Sequence, residues 1–196
     1  MRTFIIMLLL LMLFAGVAQA ETYNTRLLIH GQKTVGESQF GVAGWVIAPN
    51  VTSSSTWVNL VGPCYDGEGW GVELLGGMVV ADGKGKLLLD TRLEFTPKLW
   101  GVPVYSWHNF QWVMTGETGT GYWYSQVDWV MPLGLGLLGV ETENTFNSQG
   151  NDYSVAPHLA LPLGDHLALV FAPQFHFNQV RDYTGFQFWF RAVVNF

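Results

Sequence analysis

Alternation of apolar and polar side chains runs through most of this chain and predicts β-strands rather than helices. Segments of about 9–13 residues with a period of two are separated by turn residues such as Asp82-Gly-Lys-Gly85 and Pro162-Leu-Gly164. No segment keeps the 3.6-residue period of an amphipathic helix. The pattern predicts ten strands, at 38–48, 55–62, 69–80, 86–96, 104–114, 121–131, 135–145, 152–162, 165–177 and 186–196.

The two faces of these strands differ in a way that is unusual for a water-soluble β-protein. Strand 165–177 places Leu167, Phe171 and Phe175 on one face, and Ala168 and Gln174 on the other. In a soluble sandwich or barrel the polar face meets water and carries many charges. Here the less apolar faces hold mainly Ala, Gly, Ser, Gln, His and Tyr. We therefore expect the large apolar residues to point outward and the few charges to point inward, as in barrels that lie in lipid.

Composition narrows the class of protein further. Charged residues make up 12% of the chain, against about 25% in ordinary soluble domains. Aromatic residues make up 15%, with nine Trp. The formal net charge of -6 argues against a nucleic-acid partner. No stretch of apolar residues after the first twenty is long enough for a transmembrane helix, which leaves a closed β-barrel as the way to span a membrane.

The first twenty residues have the features of a secretory signal peptide. Arg2 precedes an apolar block from Phe4 to Phe14, and Ala18-Gln19-Ala20 fits the cleavage pattern. The block is too short to span a bilayer, which needs about 20 residues. We predict a cleaved signal peptide at 1–20, an N-terminal periplasmic segment or extra strand at 21–37, and a transmembrane β-barrel at 38–196.

The final strand alternates aromatic residues up to the last position of the chain, with Phe186, Phe188, Phe190 and Phe196 on one face. Together with the signal peptide and the alternating strands, this pattern resembles the bacterial outer-membrane β-barrel proteins, without pointing to a narrower family. The resemblance implies a location in the bacterial outer membrane, with outer-membrane lipids and lipopolysaccharide as neighbours. It also implies that the barrel-assembly machinery recognises the C-terminal strand through these four phenylalanines.

An even number of strands is expected for such a barrel and would place both termini in the periplasm. The fold prediction is therefore all-β, a closed antiparallel up-and-down transmembrane β-barrel of ten strands. Eight is the alternative, with the first segments merged or lying in the periplasm. Residues 25–30 also resemble a strand, and counting them gives eleven. Strand 104–114 does not alternate cleanly, and a β-bulge is the expected explanation.

Several charged residues lie on the faces predicted to point inward. A barrel of about eight strands is filled by its own side chains, so ten strands leave a narrow lumen at best. Unpaired charges there would be costly, and we expect Arg92 and Arg191 to pair with carboxylates. The charges predict either a rigid plug or a narrow path for ions. The predicted lumen-facing set is Glu73, Asp90, Arg92, Glu94, Asp128, Glu141, Glu143 and Arg191.

The single cysteine and the histidines offer little for a metal or redox site. Cys64 lies in a stretch predicted as a loop, so its thiol is either without a role or forms a bridge to a partner protein. His158 and His166 are predicted to share a face of neighbouring strands, about 7–8 Å apart. A metal site needs a third ligand, and we predict no metal and no cofactor.

No catalytic residues are predicted. Ser106 and His108 share one face of a strand, but no acidic residue is an obvious neighbour. The predicted function is a small, non-enzymatic outer-membrane barrel that is structural or forms a narrow pore for ions or small solutes. One alternative is an outer-membrane enzyme that hydrolyses acyl chains of lipid A or phospholipids. Another is a secreted, soluble β-barrel that acts as a binding module.

Overall fold

Eleven β-strands close into a barrel, and one short strand lies outside it. The structure is a computed structural model that describes residues 22–51, 55–115, 118–131, 135–180 and 182–196. The strands are β1 (Thr22–Thr34), β2 (Phe40–Ala48), β3 (Trp57–Gly67), β4 (Trp70–Ala81), β5 (Lys84–Phe95), β6 (Lys98–Leu99), β7 (Val102–Thr115), β8 (Thr118–Val130), β9 (Leu137–Asn147), β10 (Gly150–Pro162), β11 (Leu167–Asn178) and β12 (Tyr183–Asn195).

The strands pair with their neighbours in sequence, except at β6 and at the closing seam. β5 pairs directly with β7, whereas β6 pairs with β7 alone and is the strand outside the barrel. β1 and β12 close the barrel in parallel register, from Thr22 opposite Gln187 to His30 opposite Asn195. The backbone N–H of Phe196 donates to the carbonyl of His30, at 3.0 Å, and so extends this seam to the last residue.

The prediction of a closed all-β barrel is confirmed, whereas the predicted strand numbers of ten and eight are wrong. Residues 22–34, which lie in the segment 21–37 ahead of the predicted barrel, form β1. With eleven strands in up-and-down order, the first and last strands run in the same direction, so the barrel is mixed rather than antiparallel throughout. The predicted signal peptide at 1–20 lies outside the described residues.

Because the number of strands is odd, the start of β1 and the end of β12 lie at opposite rims of the barrel. We call the rim where β1 begins the N-terminal rim, and the rim where β12 ends the C-terminal rim. β2, β4, β7, β9 and β11 end at the N-terminal rim, and β1, β3, β5, β8, β10 and β12 end at the C-terminal rim. Thr22 and Phe196 therefore lie at opposite rims, contrary to the expectation that both termini share one side.

β3 is longer than the predicted strand at 55–62, because it continues through Gly67. Cys64, predicted in a loop, lies in this strand and is buried. The predicted strand ended at residue 62 because Gly62 and Pro63 are residue types that usually mark turns. Here Gly62 permits a close approach, because a Cβ atom would collide with the backbone carbonyl of Leu74 on β4. A bridge from Cys64 to a partner stays a prediction, although a buried thiol is poorly placed for it.

β5 shows which side of the sheet is the outer wall. Leu87 and Leu89 are 60% and 54% exposed, whereas Asp90 and Arg92 are 3% and 2% exposed. The guanidinium of Arg92 lies over the ring of Trp45 on β2, which is not a neighbouring strand, so this contact crosses the barrel interior. On this strand the leucines therefore lie on the outer wall and the charges lie inside.

β7 pairs with both β5 and β8 without a break in register, so the bulge expected in strand 104–114 is wrong. The alternation of β7 is hard to recognise in the sequence because a large aromatic residue points inward while polar residues point outward. Trp107 points inward and stacks on Trp45, with ring centroids 5.9 Å apart. Ser106 and His108, one residue to either side, therefore lie on the outer wall.

Candidate functional site

A hydrogen-bond network centred on Glu141 occupies part of the barrel interior. Glu141 on β9 is 1% exposed and accepts hydrogen bonds from Arg191 on β12, Tyr124 on β8 and Gln174 on β11. The Nδ1 atom of His158 on β10 also bonds to this carboxylate. The network therefore ties together five consecutive strands, and the positive charge of Arg191 compensates the buried carboxylate.

Asp128 on β8 extends the network with a second buried carboxylate. It accepts a hydrogen bond of 3.0 Å from Gln126 on the same strand. Its Oδ2 atom lies 3.7 Å from Nε2 of His158, whose other ring nitrogen bonds to Glu141. The imidazole of His158 thus lies between two carboxylates that are both shielded from solvent.

Arg92 on β5 is the centre of a second interior network. Its Nε and Nη2 atoms donate to Oδ2 of Asp90 at 3.2 and 3.0 Å, and Asn109 and Gln111 of β7 donate to the same carboxylate. The guanidinium carbon lies 3.9 Å from the ring centroid of Trp45, within the range of a cation–π interaction. The Nη1 atom of Arg92 is buried, and no described residue forms a hydrogen bond with it.

Two further contacts between ionisable side chains involve β1. Arg26 donates from both Nη atoms to the carboxylate of Glu143 on β9, each at 2.9 Å, which is the strong bidentate form of this pair. Glu73 on β4 accepts a hydrogen bond of 2.7 Å from the indole N–H of Trp45 and lies 2.9 Å from Nε2 of His30. The first pair reaches over β12, β11 and β10, so it braces the barrel across its interior.

The charged residues predicted to face the lumen differ in their burial. Arg92 pairs with Asp90, and Arg191 pairs with Glu141, as the cost of isolated buried charges requires. Glu94 lies near the C-terminal rim, where it lines a small cavity of about 110 Å³ together with Cys64. Asp90, Arg92, Asp128, Glu141 and Arg191 are buried, Glu73 and Glu143 are half-buried, and Glu94 is exposed.

Sequence reasoning missed several members of these networks. Arg26 and His30 were overlooked because the segment 21–37 was placed ahead of the barrel, although residues 25–30 already suggested a strand. Trp45, Asn109 and Gln174 carry no charge, so nothing in the alternation marks them as partners of buried ions. The face of each residue could be predicted, but its partner could not.

A polar cluster of three side chains lies on the outer wall, on β7 and β8. The hydroxyl of Ser106 is 2.9 Å from Nε2 of His108, and the hydroxyl of Ser125 is 2.8 Å from Nδ1 of the same ring. Ser106 also donates to the backbone carbonyl of Gln126 at 3.3 Å. Both nitrogens of the imidazole are therefore satisfied by hydroxyl groups, which lowers the cost of placing a polar ring on an apolar wall.

The predicted proximity of His158 and His166 is wrong. Leu159 pairs with Phe171, so His158 is level with Ala172, about 20 Å along the strand from His166. His166 is exposed at the C-terminal rim, where its Nδ1 atom is 2.9 Å from the carbonyl oxygen of Asn195. In the described part of the chain, no three His, Cys, Asp or Glu residues are placed to hold a metal ion.

Two chambers open beneath the N-terminal rim. One, of about 490 Å³, has polar walls that include Arg26, Glu143 and His176. The other, of about 510 Å³, is lined partly by apolar side chains and by Arg92, and we call it the Arg92 chamber. Arg92 and Trp107 line both this chamber and the small cavity near the C-terminal rim, so their side chains stand between the two.

The four phenylalanines of the predicted assembly signal lie along β12 and at its end. Phe186 packs on Phe175 and Phe190 packs on Phe171, with ring centroids 5.1 and 5.3 Å apart. Phe188 is buried, whereas Phe196 is 75% exposed at the C-terminal rim. Recognition of these residues by an assembly machinery stays a prediction.

Comparison with known proteins does not extend this description. No family model, no curated protein and no solved structure matches the chain. Over the residues that the structure describes, there is no helix long and apolar enough to cross a membrane.

Proposed function

We propose that this chain is a small integral β-barrel of the bacterial outer membrane, non-enzymatic, with a structural role or a narrow pore. The observation that carries the proposal is the reversed polarity of β5, where Leu87 and Leu89 are exposed while Asp90 and Arg92 are buried. In water this arrangement would expose a large apolar surface. In a bilayer the same leucines would meet acyl chains, and the charges would be kept away from them.

The spacing of exposed aromatic rings supports the proposal. Trp57 on β3 and Trp70 on β4 are both exposed, near opposite rims. Trp57 pairs with Val80, which is about 34 Å along β4 from Trp70 at about 3.4 Å per residue. At the usual tilt of about 45° this separation corresponds to a height of about 24 Å, close to the apolar band of about 25 Å in such barrels. Trp112 and Tyr183 are exposed near the N-terminal rim, and Phe40 and Trp129 near the C-terminal rim.

The interior favours the structural role over the pore. Arg92 and Trp107 stand between the larger chamber and the small cavity beyond it, and their contacts with Asp90 and Trp45 hold them in place. On this proposal the chain inserts among outer-membrane lipids and lipopolysaccharide, with the strand that ends at Phe196 guiding its assembly.

The first test is the behaviour of the folded protein in membranes and on gels. We expect the protein to stay with pelleted membranes after a wash in urea, and to migrate faster in dodecyl sulfate before boiling than after it. Both results would follow from a closed barrel that holds its fold in detergent. Recovery in the aqueous fraction, with identical migration before and after boiling, would instead favour the secreted binding module.

Conductance in a planar bilayer then separates the two roles of the same barrel. We expect a closed baseline, because of the side chains that stand between the chambers. A steady small conductance would favour the narrow pore, without changing the proposed location.

One observation favours a lipid hydrolase as the second candidate. Ser106, His108 and Ser125 form a hydrogen-bonded series on the outer wall, and a lipid ester would have to reach the hydroxyl of Ser106, which is only 9% exposed. The third group is a hydroxyl rather than the carboxylate that usually orients the histidine.

Because Ser106 is also bonded to a backbone carbonyl, we expect no labelling by a fluorophosphonate probe. Labelling that persists in Ser125→Ala but is lost in Ser106→Ala and His108→Ala would favour the hydrolase.

A further inference from the structure

The guanidinium group of Arg92, which lines the Arg92 chamber, is buried and only partly paired within the described residues. The side chain of Arg92 is 2% exposed, and two of its three nitrogens are used on Asp90. The third, Nη1, has no hydrogen-bond partner among the residues that the structure describes. An unpaired buried donor on a charged group costs at least about 1–3 kcal/mol, so a group that supplies an acceptor here would be bound favourably.

We propose that the Arg92 chamber binds a small monocarboxylate with an apolar body. In this site the carboxylate accepts a hydrogen bond from Nη1 of Arg92, and the body lies along the chamber wall. The proposal goes beyond the structural role argued above, and it holds whether the outer wall of the barrel faces lipid or water.

The charges around the chamber argue against a ligand with more than one negative charge. Three guanidinium groups line it, from Arg26, Arg92 and Arg191, and each already pairs with one carboxylate: Arg26 with Glu143, Arg191 with Glu141 and Arg92 with Asp90. Glu143 also lines the chamber and would repel a dianion such as a phosphate monoester. One carboxylate fits the single donor that remains.

The walls of the chamber favour an apolar body behind that carboxylate. Leu28, Ile47, Val58 and Val113 line it together with the indole of Trp107. Its volume of about 510 Å³ lies within the range of about 300–1,000 Å³ that is typical of small-molecule sites. Such sites combine an apolar wall with a few fixed polar groups, as this chamber does.

The chamber lies toward the N-terminal rim, which gives a ligand a route from that side. Pro49, which follows β2, and Thr120, near the start of β8, both line it. Trp107 and Arg92 form its inner end, where the small cavity near the C-terminal rim begins. A carboxylate that reaches Arg92 would therefore enter head first and leave its apolar body nearer the rim.

The test is a comparison of two probes that differ only in their charged group. 4-Phenylbutyrate and 4-phenylbutan-1-ol are titrated into the folded full-length protein in detergent, with a micelle blank, and binding is followed by calorimetry. We expect the acid to bind at least about tenfold more tightly than the alcohol, because the carboxylate forms an ionic hydrogen bond with Arg92, whereas the hydroxyl offers the same donor only a neutral acceptor. No binding of the acid, or equal binding of both probes, would overturn the proposal.

Two variants place the binding in the chamber. Asp90→Asn with Arg92→Met removes both charges together and so avoids a lone buried carboxylate, whereas Val113→Phe fills the chamber and leaves every charge in place. Each is expected to weaken binding of the acid at least about tenfold, while exposed Lys86→Met is expected to leave it unchanged. Unchanged binding in either chamber variant would contradict the proposed site. Near-ultraviolet circular dichroism of each variant in the same detergent shows that the variant is folded.

Discussion

Arg191→Met is expected to lower the free energy of unfolding by about 3–5 kcal/mol, the cost of leaving a buried charge without its partner. Glu141 is 1% exposed, and Arg191 is the cation that contacts it most directly. Of the remaining partners, Tyr124 and Gln174 are neutral and cannot replace the lost charge, and His158 supplies a charge only when its imidazole is protonated. Urea titration of the folded protein in detergent, followed by tryptophan fluorescence, measures the change.

The double variant Glu141→Gln with Arg191→Met separates charge from packing. It removes both charges, so we expect it to be more stable than Arg191→Met alone. Lys86→Met is the matched control, because it removes a positive charge from an exposed position and is expected to change stability by less than about 0.5 kcal/mol. Equal stability of Arg191→Met and the wild type would show that the Glu141 network does not hold the barrel together.

Leu89→Arg is expected to destabilise the inserted barrel by about 2–4 kcal/mol, because it would place a charge near the middle of the bilayer. Leu89 lies near the centre of β5 and is 54% exposed on the outer wall. The effect of Leu89→Arg on stability depends on whether the outer wall contacts lipid or water. At an exposed position in water the same substitution would change stability by less than about 0.5 kcal/mol.

Folding into lipid vesicles from urea provides the measurement for this variant. Leu89→Met keeps an apolar side chain of similar volume and is the matched control, with an expected cost below about 1.5 kcal/mol. If Leu89→Arg folds into vesicles as readily as Leu89→Met, the outer wall does not face acyl chains and the proposed location is wrong.

The period of two was sufficient to predict the barrel, because every strand has one face inside and one face outside. The prediction of individual strands failed where a strand carries residues that are unusual for its faces or for a strand interior. β7 resembled an irregular strand, since Trp107 points inward and His108 outward, yet its register is unbroken. β3 appeared to end early because Gly62 and Pro63 imitate a turn. In both strands the local pattern was overridden by packing against neighbouring strands.

The interior networks could not be predicted, because alternation gives the face of a residue but not its partner. Arg26 and Glu143 are 117 positions apart in sequence. They meet only because β1 joins β12 and closes the sheet. Because one strand was overlooked, the predicted strand number was even instead of odd. An even number predicts an antiparallel seam and both ends of the barrel at one rim, and both of these predictions are wrong. The Ser106–His108 contact was anticipated as a shared face, but the second hydroxyl, from Ser125, was not.

The parallel seam has a consequence for how the cylinder can be cut and rejoined. In a barrel with an even number of strands, a tight turn can connect the old termini, and circular permutants are easily made. Here such a connector would have to travel the full height of the cylinder, because Thr22 and Phe196 lie at opposite rims.

The seam also pairs the earliest strand with the latest, so two sheet edges stay open until synthesis is complete. During that interval each edge can capture a strand from another chain, and a chaperone that shields β1 would prevent this.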